Sequence, residues 1–283
     1  GQGQAQGPGQ AQGQGPGRGQ GRGQAQQHQL VFRPDGSFGY TDTPMQTWSP
    51  YRVHDPDRPK PKKIEPGAFS SQDRPGQPPS DAIVLFDGKD LSKWKPNQWK
   101  VENGELIATT GRFETVDDFG SYQLHLEWKD PTTEELDKMY PGNKDPRTGE
   151  PDIMDRGNNG VLLMGNIEIQ IFDPTTKIYA DGQAAAVYSQ TPPLVTAALP
   201  PGQWEAYDII FTAPKFDGDK LAQPARITML FNGVLVQNNQ EIYGSTGHAT
   251  LPRPFRPGVT TAPLALGAHN CPVRFRNIWI RPL

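Results

Sequence analysis

The sequence predicts an all-β domain over residues 81–283, preceded by two extended segments. Apolar and polar residues alternate with a period of two in several short stretches, as in strands with one buried face. One Asn232-Gly233 dipeptide between two such stretches is typical of a two-residue hairpin turn. No stretch has helical periodicity over several turns with caps. Many closely spaced strands predict a sandwich or a barrel.

The first segment, residues 1–26, alternates strictly: odd positions are Gly or Ala, and even positions are Gln, Pro or Arg. A strand points alternate side chains to opposite faces, so this register predicts an extended arm with one bare face and one amide-rich face. Such an arm suits cross-β stacking between copies of the chain. A flexible tether, a polyglycine-type bundle and polyproline II remain alternatives.

The second segment, residues 27–80, is rich in proline and poor in aliphatic residues, which predicts an extended strap. The whole chain has 31 Gly and 30 Pro. Its net charge of −3, without a basic stripe of interleaved aromatic residues, argues against nucleic acid as the main partner. No apolar span is long enough for a transmembrane segment. Because Cys271 is the single cysteine, an intramolecular disulfide and multi-cysteine metal sites are excluded.

The strands of the domain can be placed in order. In 119–128, apolar residues from Tyr122 to Trp128 alternate with polar ones, and in 160–173 the isoleucines of Ile167–Ile171 alternate with Glu168 and Gln170 after a turn predicted at Gly165-Asn166. Further strands are predicted at 204–211, at 273–280 and in both halves of 226–238. The acidic stretch 130–159 is predicted to be a solvated loop, with calcium binding as the alternative.

Several blocks carry a resemblance to a known family. They are LFDGKDLSKW (85–94), RGNNGV (156–161), EIQIFD (168–173), YADGQAAAVYSQTPPLV (179–195), WEAYDIIFTAPKFDG (204–218), FNGVLVQN (231–238) and RFRNIWIRPL (274–283). In this order they resemble the 3-keto-disaccharide hydrolase family. The resemblance implies a concanavalin-like jelly-roll β-sandwich, usually exported by bacteria. It also implies cleavage of 3-keto-glycosides, in some members with a divalent metal. The arm has no counterpart in the family pattern.

Cleavage beside a 3-keto group needs a base for the acidified proton at carbon 2, and an acid or a metal to stabilise the enolate and the departing oxygen. The catalytic candidates are Glu127, Glu168 and His269. The substrate-binding candidates are Asn158, Gln170, Asp173 and Arg274. His125 shares a strand face with Glu127, and Trp128, Trp204 and Trp279 are candidates for stacking on a sugar ring. Alternatively, the polar residues face solvent and the aromatic residues belong to the core.

The chain also departs from the family pattern. Where the family typically reads Leu-Gln-Asp-His-Gly, this chain reads Leu266-Gly267-Ala268-His269-Asn270. Arg112 and Glu114 stand where members commonly have Asp and Arg, and Asn166-Ile167 stands where they have Arg-Tyr. Losing groups that hold a sugar or orient a metal ligand costs roughly 10 to 100-fold in activity or affinity. The sequence therefore predicts an eroded site.

Two functional hypotheses follow. The first is a structural protein that assembles through residues 1–26 into an extracellular fibre or surface assembly of identical subunits. The second is an exported 3-keto-glycoside hydrolase or lyase, or a sugar-binding module, that the arm tethers. The periodic arm and the departures favour the first hypothesis, whereas the otherwise intact blocks favour the second. The sequence prediction is therefore the self-assembling structural protein, with the enzyme or sugar-binding module as the alternative. The N-terminal Gly1 and the low-complexity start suggest removal of a signal peptide, hence an extracellular, cell-surface or periplasmic location.

Overall fold

The computed structural model describes residues 29–36, 38–47, 49–59, 69–141, 156–176 and 178–283. The alternating arm, and with it the predicted assembly through residues 1–26, lies outside the described residues. The chain divides into two compact units, Gly1–Lys63 and Ile64–Leu283. Among the described residues, no helix has the length and apolar character needed to cross a membrane.

The described part of the first unit contains a short hairpin. Strands β1 (Leu30–Phe32) and β2 (Phe38–Tyr40) pair antiparallel. Gly39 on β2 lies against the next stretch of chain, because a Cβ at this position would lie 2.3 Å from the carbonyl oxygen of His54. A larger residue at position 39 would therefore separate the hairpin from that stretch.

The second unit is an antiparallel β-sandwich, as the sequence predicts. Its strands are β3 (Ile83–Phe86), β4 (Lys100–Glu102), β5 (Glu105–Ile107), β6 (Thr110–Phe119), β7 (Tyr122–Lys129), β8 (Asn159–Leu163), β9 (Ile167–Ile171), β10 (Glu205–Thr212), β11 (Lys215–Asp217), β12 (Lys220–Gln223), β13 (Arg226–Phe231), β14 (Val234–Glu241), β15 (Ala262–His269) and β16 (Arg274–Pro282). The large sheet has the order β14-β13-β10-β7-β16-β5-β4, with β3 also paired to β16. The small sheet has the order β6-β15-β8-β9, and β11 pairs with β12 alone.

The hydrophobic core lies between the large and the small sheet. Leu124, Leu126 and Trp128 of β7 point into it from the large sheet, and the isoleucines of Ile167–Ile171 point into it from the small sheet. Tyr207 of β10 also crosses the core, because its hydroxyl donates to the carbonyl oxygen of Gln170 over 2.8 Å. Each sheet therefore has an outer face, formed by the alternate residues of its strands, that points away from this core.

Both predicted turns are present. Asn232 and Gly233 join β13 to β14 with φ angles of 52° and 79°, as a two-residue type I′ turn requires. Residues 164–166, which include the predicted Gly165-Asn166, join β8 to β9.

One element differs from the prediction. The stretch predicted to be a loop contains a helix, α1 (Thr133–Met139), which begins with a capping box. The Thr132 hydroxyl accepts a hydrogen bond from the Glu135 backbone, and the Glu135 carboxylate accepts one from the Thr132 backbone. This Thr-x-x-Glu pattern is visible in the sequence, but the helix is too short to give a periodic signal.

Candidate active site

At the centre of the outer face of the small sheet, two neighbouring strands carry glycine residues. Gly160 of β8 pairs with Gly267 of β15 on one side and with Gln170 of β9 on the other. A Cβ at Gly160 would lie 2.3 Å from Oε1 of Glu168 and 2.7 Å from its Cγ. The Glu168 side chain therefore lies across the backbone of Gly160. We call this surface, formed by Arg112, Gly160, Glu168, Gln170 and Gly267, the glycine face.

Glu168 is the chemically distinctive group of the glycine face. Burial raises the pKa of its carboxyl group to about 7, and the positive charge of Arg112 opposes that rise only in part. Within the described chain no group donates a hydrogen bond to this carboxylate. Such a hydrogen bond would stabilise the charged form and lower the pKa. Near neutral pH the group can therefore both accept and release a proton, as a general acid–base catalyst requires.

Two tyrosines and a histidine lie beside Glu168. The Tyr188 hydroxyl is 2.9 Å from the Tyr179 hydroxyl and 2.9 Å from Nδ1 of His248. The Tyr188 backbone N–H donates to the carbonyl oxygen of Glu168 over 3.0 Å, so this segment follows the edge strand β9. Burial, the Tyr179 hydroxyl and the nearby charge of Glu168 raise the pKa of Tyr188. The Tyr188 hydroxyl therefore stays protonated at neutral pH and can donate a hydrogen bond.

Gln170 supplies an unpartnered polar atom on the same face. Its side chain is 1% exposed, and its Oε1 has no hydrogen-bond partner among the described residues. Buried polar atoms are rarely left without a partner, so an enclosed water is the partner that suits this oxygen.

His269 and Asn158 lie at one end of the glycine face. The His269 backbone N–H donates to the carbonyl oxygen of Asn158 over 3.3 Å. His269 ends β15 and is exposed, and it is two residues beyond Gly267, so it shares the outer face of that strand. The structure thus places Glu168, Gln170, His269 and Asn158 on one side of the small sheet.

Gly267 and Ala268, which replace the Gln-Asp pair of the family pattern, point to opposite faces of the small sheet. Gly267 lies on the glycine face, where a Cβ would come within 2.9 Å of Cδ1 of Leu162. Ala268 points into the core and is 9% exposed. Only Gly267 therefore removes a polar side chain from the face that carries Glu168.

Glu127 does not belong to this site, and the predicted catalytic set of Glu127, Glu168 and His269 is not one cluster. Glu127 lies on the outer face of the large sheet, across the core, and is 1% exposed. Its carboxylate accepts hydrogen bonds from Arg276 (2.5 Å), Asn277 (2.7 Å) and the backbone of Gly76 (3.1 Å). Burial alone would raise its pKa, but His125 and these groups lower it overall. These partners thus hold Glu127 as an anion on the large sheet.

Two of the binding candidates also lie elsewhere. Arg274 is on β16 of the large sheet and pairs with Glu105 over 2.7 Å. Asp173 follows β9, is 1% exposed and accepts hydrogen bonds from Arg156 and Thr175. Arg274 therefore lies on the opposite sheet from Glu168, and the Asp173 carboxylate is occupied by Arg156 and Thr175.

The three tryptophan candidates do not line the glycine face either. Trp128 is fully buried in the core. Trp279 stacks on His125 with ring centroids 5.2 Å apart, and Trp204 lies 4.0 Å beneath the guanidinium group of Arg276. For Trp128 the core alternative is therefore the correct one.

Sequence reasoning missed Tyr179, Tyr188, His248 and the contribution of Arg112. Tyr179 and Tyr188 lie in one of the family-like blocks, but no local pattern distinguishes them from core aromatic residues. His248 is 60 residues from Tyr188 in sequence, and only the fold brings them together.

A divalent metal is implied for some members of the family. Within the residues that the structure describes, no group of three or more His, Cys, Asp or Glu side chains is placed to hold a metal ion. The acidic stretch does not form such a group in its described part, where Glu135 caps α1 and Asp137 pairs with Arg156.

Comparisons with known proteins agree with this architecture. The family model of the 3-keto-alpha-glucoside-1,2-lyase-like domain matches residues 81–281. A solved structure from Parabacteroides distasonis, named "putative glycosyl hydrolase", is 34% identical, with a TM-score of 0.69, and the match covers 80% of this chain and 93% of that one. A second protein of that name from the same organism shares the fold, at 20% identity and a TM-score of 0.50, with 71% of this chain and 99% of that one covered. No curated protein matches the sequence.

Proposed function

The chain belongs to the family of the 3-keto-alpha-glucoside-1,2-lyase-like domain, and we propose that it cleaves the glycosidic bond of 3-keto-glycosides with Glu168 as the base. The observation that carries the proposal is the Glu168 carboxyl group, whose pKa burial raises to about 7 on a face floored by glycine. A base with a pKa near the working pH combines a large deprotonated fraction with useful basicity.

In the proposed reaction the 3-keto group acidifies the proton on carbon 2, and Glu168 removes it. The electron pair of the broken C2–H bond first forms the enolate with the carbonyl group at carbon 3. It then forms the C1–C2 double bond while the C1–O bond breaks and the carbonyl group is restored. The departing oxygen takes up the proton that Glu168 carries. Addition of water across the new double bond completes a net hydrolysis.

Tyr188 is the proposed donor to the enolate oxygen. Its hydroxyl remains protonated, because burial disfavours the tyrosinate. In this role its oxygen accepts hydrogen bonds from the Tyr179 hydroxyl and from the Nδ1–H of His248, which hold it in place and leave its own proton for the enolate. A preorganised donor stabilises developing negative charge at little reorganisation cost.

Release of aglycone from a chromogenic 3-keto-glucoside tests the proposal. We expect Glu168→Gln to lower kcat/KM by roughly 10² to 10⁴, the usual contribution of a general base. Glu102→Gln is the matched control, since Glu102 is an exposed residue on β4 of the other sheet. Equal activity of wild type and Glu168→Gln would overturn the proposal, as would a wild-type protein that releases no aglycone.

Assembly through residues 1–26 and export from the cell remain proposals that rest on sequence composition. Deletion of residues 1–26 tests the assembly directly, because fibres that persist without the arm would rule it out. In the proposed enzyme the arm is a tether, and its removal leaves kcat/KM unchanged.

A further inference from the structure

A cavity of about 810 Å³ lies on the outer face of the large sheet, across the core from Glu168. Its wall includes residues 69–72, 76, 77 and 79 of the strap, and its base includes His125, Glu127 and Trp279. This volume falls within the range of roughly 300–1,000 Å³ that is typical of small-molecule sites. The proposed reaction on the glycine face makes no use of it.

Fixed contacts hold the strap wall in place. The Gln72 side-chain amide both donates to and accepts from the backbone of Trp204, each over 2.8 Å. Arg276 donates to the carbonyl oxygen of Ser71 over 2.5 Å, and Gly76 donates to Glu127 over 3.1 Å. The cavity is therefore a formed feature of the second unit.

The positive charges that line the cavity are paired. His125 Nδ1 is 2.7 Å from Asp208 Oδ1, and its Nε2 is 3.6 Å from Glu127 Oε1. Arg276 donates to Glu127 over 2.5 Å. Since each cation has a carboxylate partner, the described lining offers no unpaired positive charge to a phosphate or to a carboxylate of a ligand. Glu205, which also lines the cavity, accepts hydrogen bonds from Asn232 and the Leu199 backbone and has no cation partner among the described residues. The lining therefore favours a polar ligand without anionic groups.

Several hydrogen-bonding groups remain available beside these pairs. The second oxygen of Asp208 and the side-chain amides of Gln77 and Gln123 make no protein hydrogen bond within the described chain. The Asp208 side chain is 40% exposed, so the cavity is open to solvent at that point. The side chains of Trp204 and Trp279 contribute apolar surface to the lining of the cavity. Carboxylate and amide groups beside aromatic surface can bind the hydroxyl groups and the apolar face of a sugar.

We propose that this cavity is a second, non-catalytic binding site for a neutral oligosaccharide, formed jointly by the large sheet and the strap. Asp208, Gln123 and Gln77 bind sugar hydroxyl groups there. The site would hold the protein on a glycan while the opposite face acts on its substrate. Binding in the cavity does not depend on catalysis by Glu168.

Titration calorimetry with the full chain tests this site, using cellotetraose and maltotetraose as neutral probes and tri-galacturonate as an anionic probe. We expect at least one neutral tetrasaccharide to bind. Its affinity should fall at least tenfold in the single variant Gln77→Ala, and likewise in the double variant that combines Asp208→Asn with Gln123→Ala. Gln77 is exposed on the strap, so its variant keeps the test valid if the double variant fails to fold. Asp117→Asn, an exposed change on β6, is the control and should bind like wild type.

The catalytic variant separates this proposal from the proposed function. Glu168→Gln should lose turnover of the 3-keto-glucoside and keep tetrasaccharide binding, whereas Gln77→Ala should do the reverse. Absence of binding by both neutral probes would overturn the proposal. So would a preference for tri-galacturonate, or neutral-sugar affinity that the cavity variants leave unchanged.

Discussion

Glu127 and Glu168 have the same position in the local strand pattern, but the fold shifts the pKa values of their carboxyl groups in opposite directions. Each is a polar residue on the outer face of a strand whose neighbours point into the core. Glu127 receives hydrogen bonds from three groups, and its pKa is lowered. Glu168 receives none from the described residues, and burial raises its pKa to about 7. The partners, rather than the strand position, make one carboxylate a structural anion and the other a candidate base.

The largest expected effect is on stability at the large sheet. Glu127→Gln leaves the guanidinium group of Arg276, 7% exposed as a residue, without its carboxylate. Breaking a buried ion pair from one side costs about 3–5 kcal/mol. Urea unfolding at pH 7 measures this cost, and Glu168→Gln should show no comparable loss. A cost below about 1 kcal/mol for Glu127→Gln would contradict the assigned structural role.

The second prediction concerns pH and the small sheet. The pKa of Glu168 rises from 4.5 to about 7 on folding, so the native state binds more protons than the unfolded state between these values. The contribution of Glu168 is therefore favourable at low pH and is lost as the pH rises through 7. Compared with wild type, Glu168→Gln should gain stability progressively from pH 4.5 to pH 7, by up to about 3 kcal/mol.

Urea unfolding of the wild type and of Glu168→Gln across this pH range gives the difference in their free energies of unfolding. Burial also raises the pKa of Glu205 to about 7, but Glu205 is present in both proteins, so its contribution cancels. A pH-independent difference would show that the Glu168 carboxyl group titrates normally. In the same range, kcat/KM of the wild type should rise with pH and level off above 7, since the base must be deprotonated.

The smallest effect should come from the floor of the glycine face. Gly160→Ala places a methyl group where the Glu168 side chain lies, so the carboxylate must move. Displacing a catalytic group by about 1 Å costs up to about 10² in rate, and we expect a 10 to 100-fold lower kcat/KM. Gly120→Ala is the control, because its Cβ would be 3.3 Å from the carbonyl oxygen of Thr260, far in the fold from Glu168. Equal activity of the two variants would show that Gly160 does not position Glu168.

Much of the fold was predictable because its signals are local. The alternation in 119–128 gave a strand with Leu124 and Leu126 inward, and Asn232-Gly233 gave the hairpin between β13 and β14. The helix α1 was missed because seven residues carry too little periodicity, although its capping box was visible.

The candidate site was predictable only in part. Glu168 and Gln170 follow from the period-two pattern, which places them together on one outer face. The separation of Glu127 and Arg274 from the glycine face does not follow from any local pattern, because the pairing of strands into two sheets depends on contacts that are distant in sequence. Glu127 and Arg276, for example, are 149 residues apart.

The sequence by itself determined the strand faces, the hairpin turns and the family of the domain, since each depends on spacing along the chain. Tertiary structure decided which sheet each polar residue joins, which carboxylate has partners, and that Gly267 faces the candidate site while Ala268 faces the core. It also decided that the strap encloses a cavity on the large sheet. The physical reason is that burial and hydrogen-bond partners set the proton affinity of a carboxyl group, and strands brought together by folding supply both.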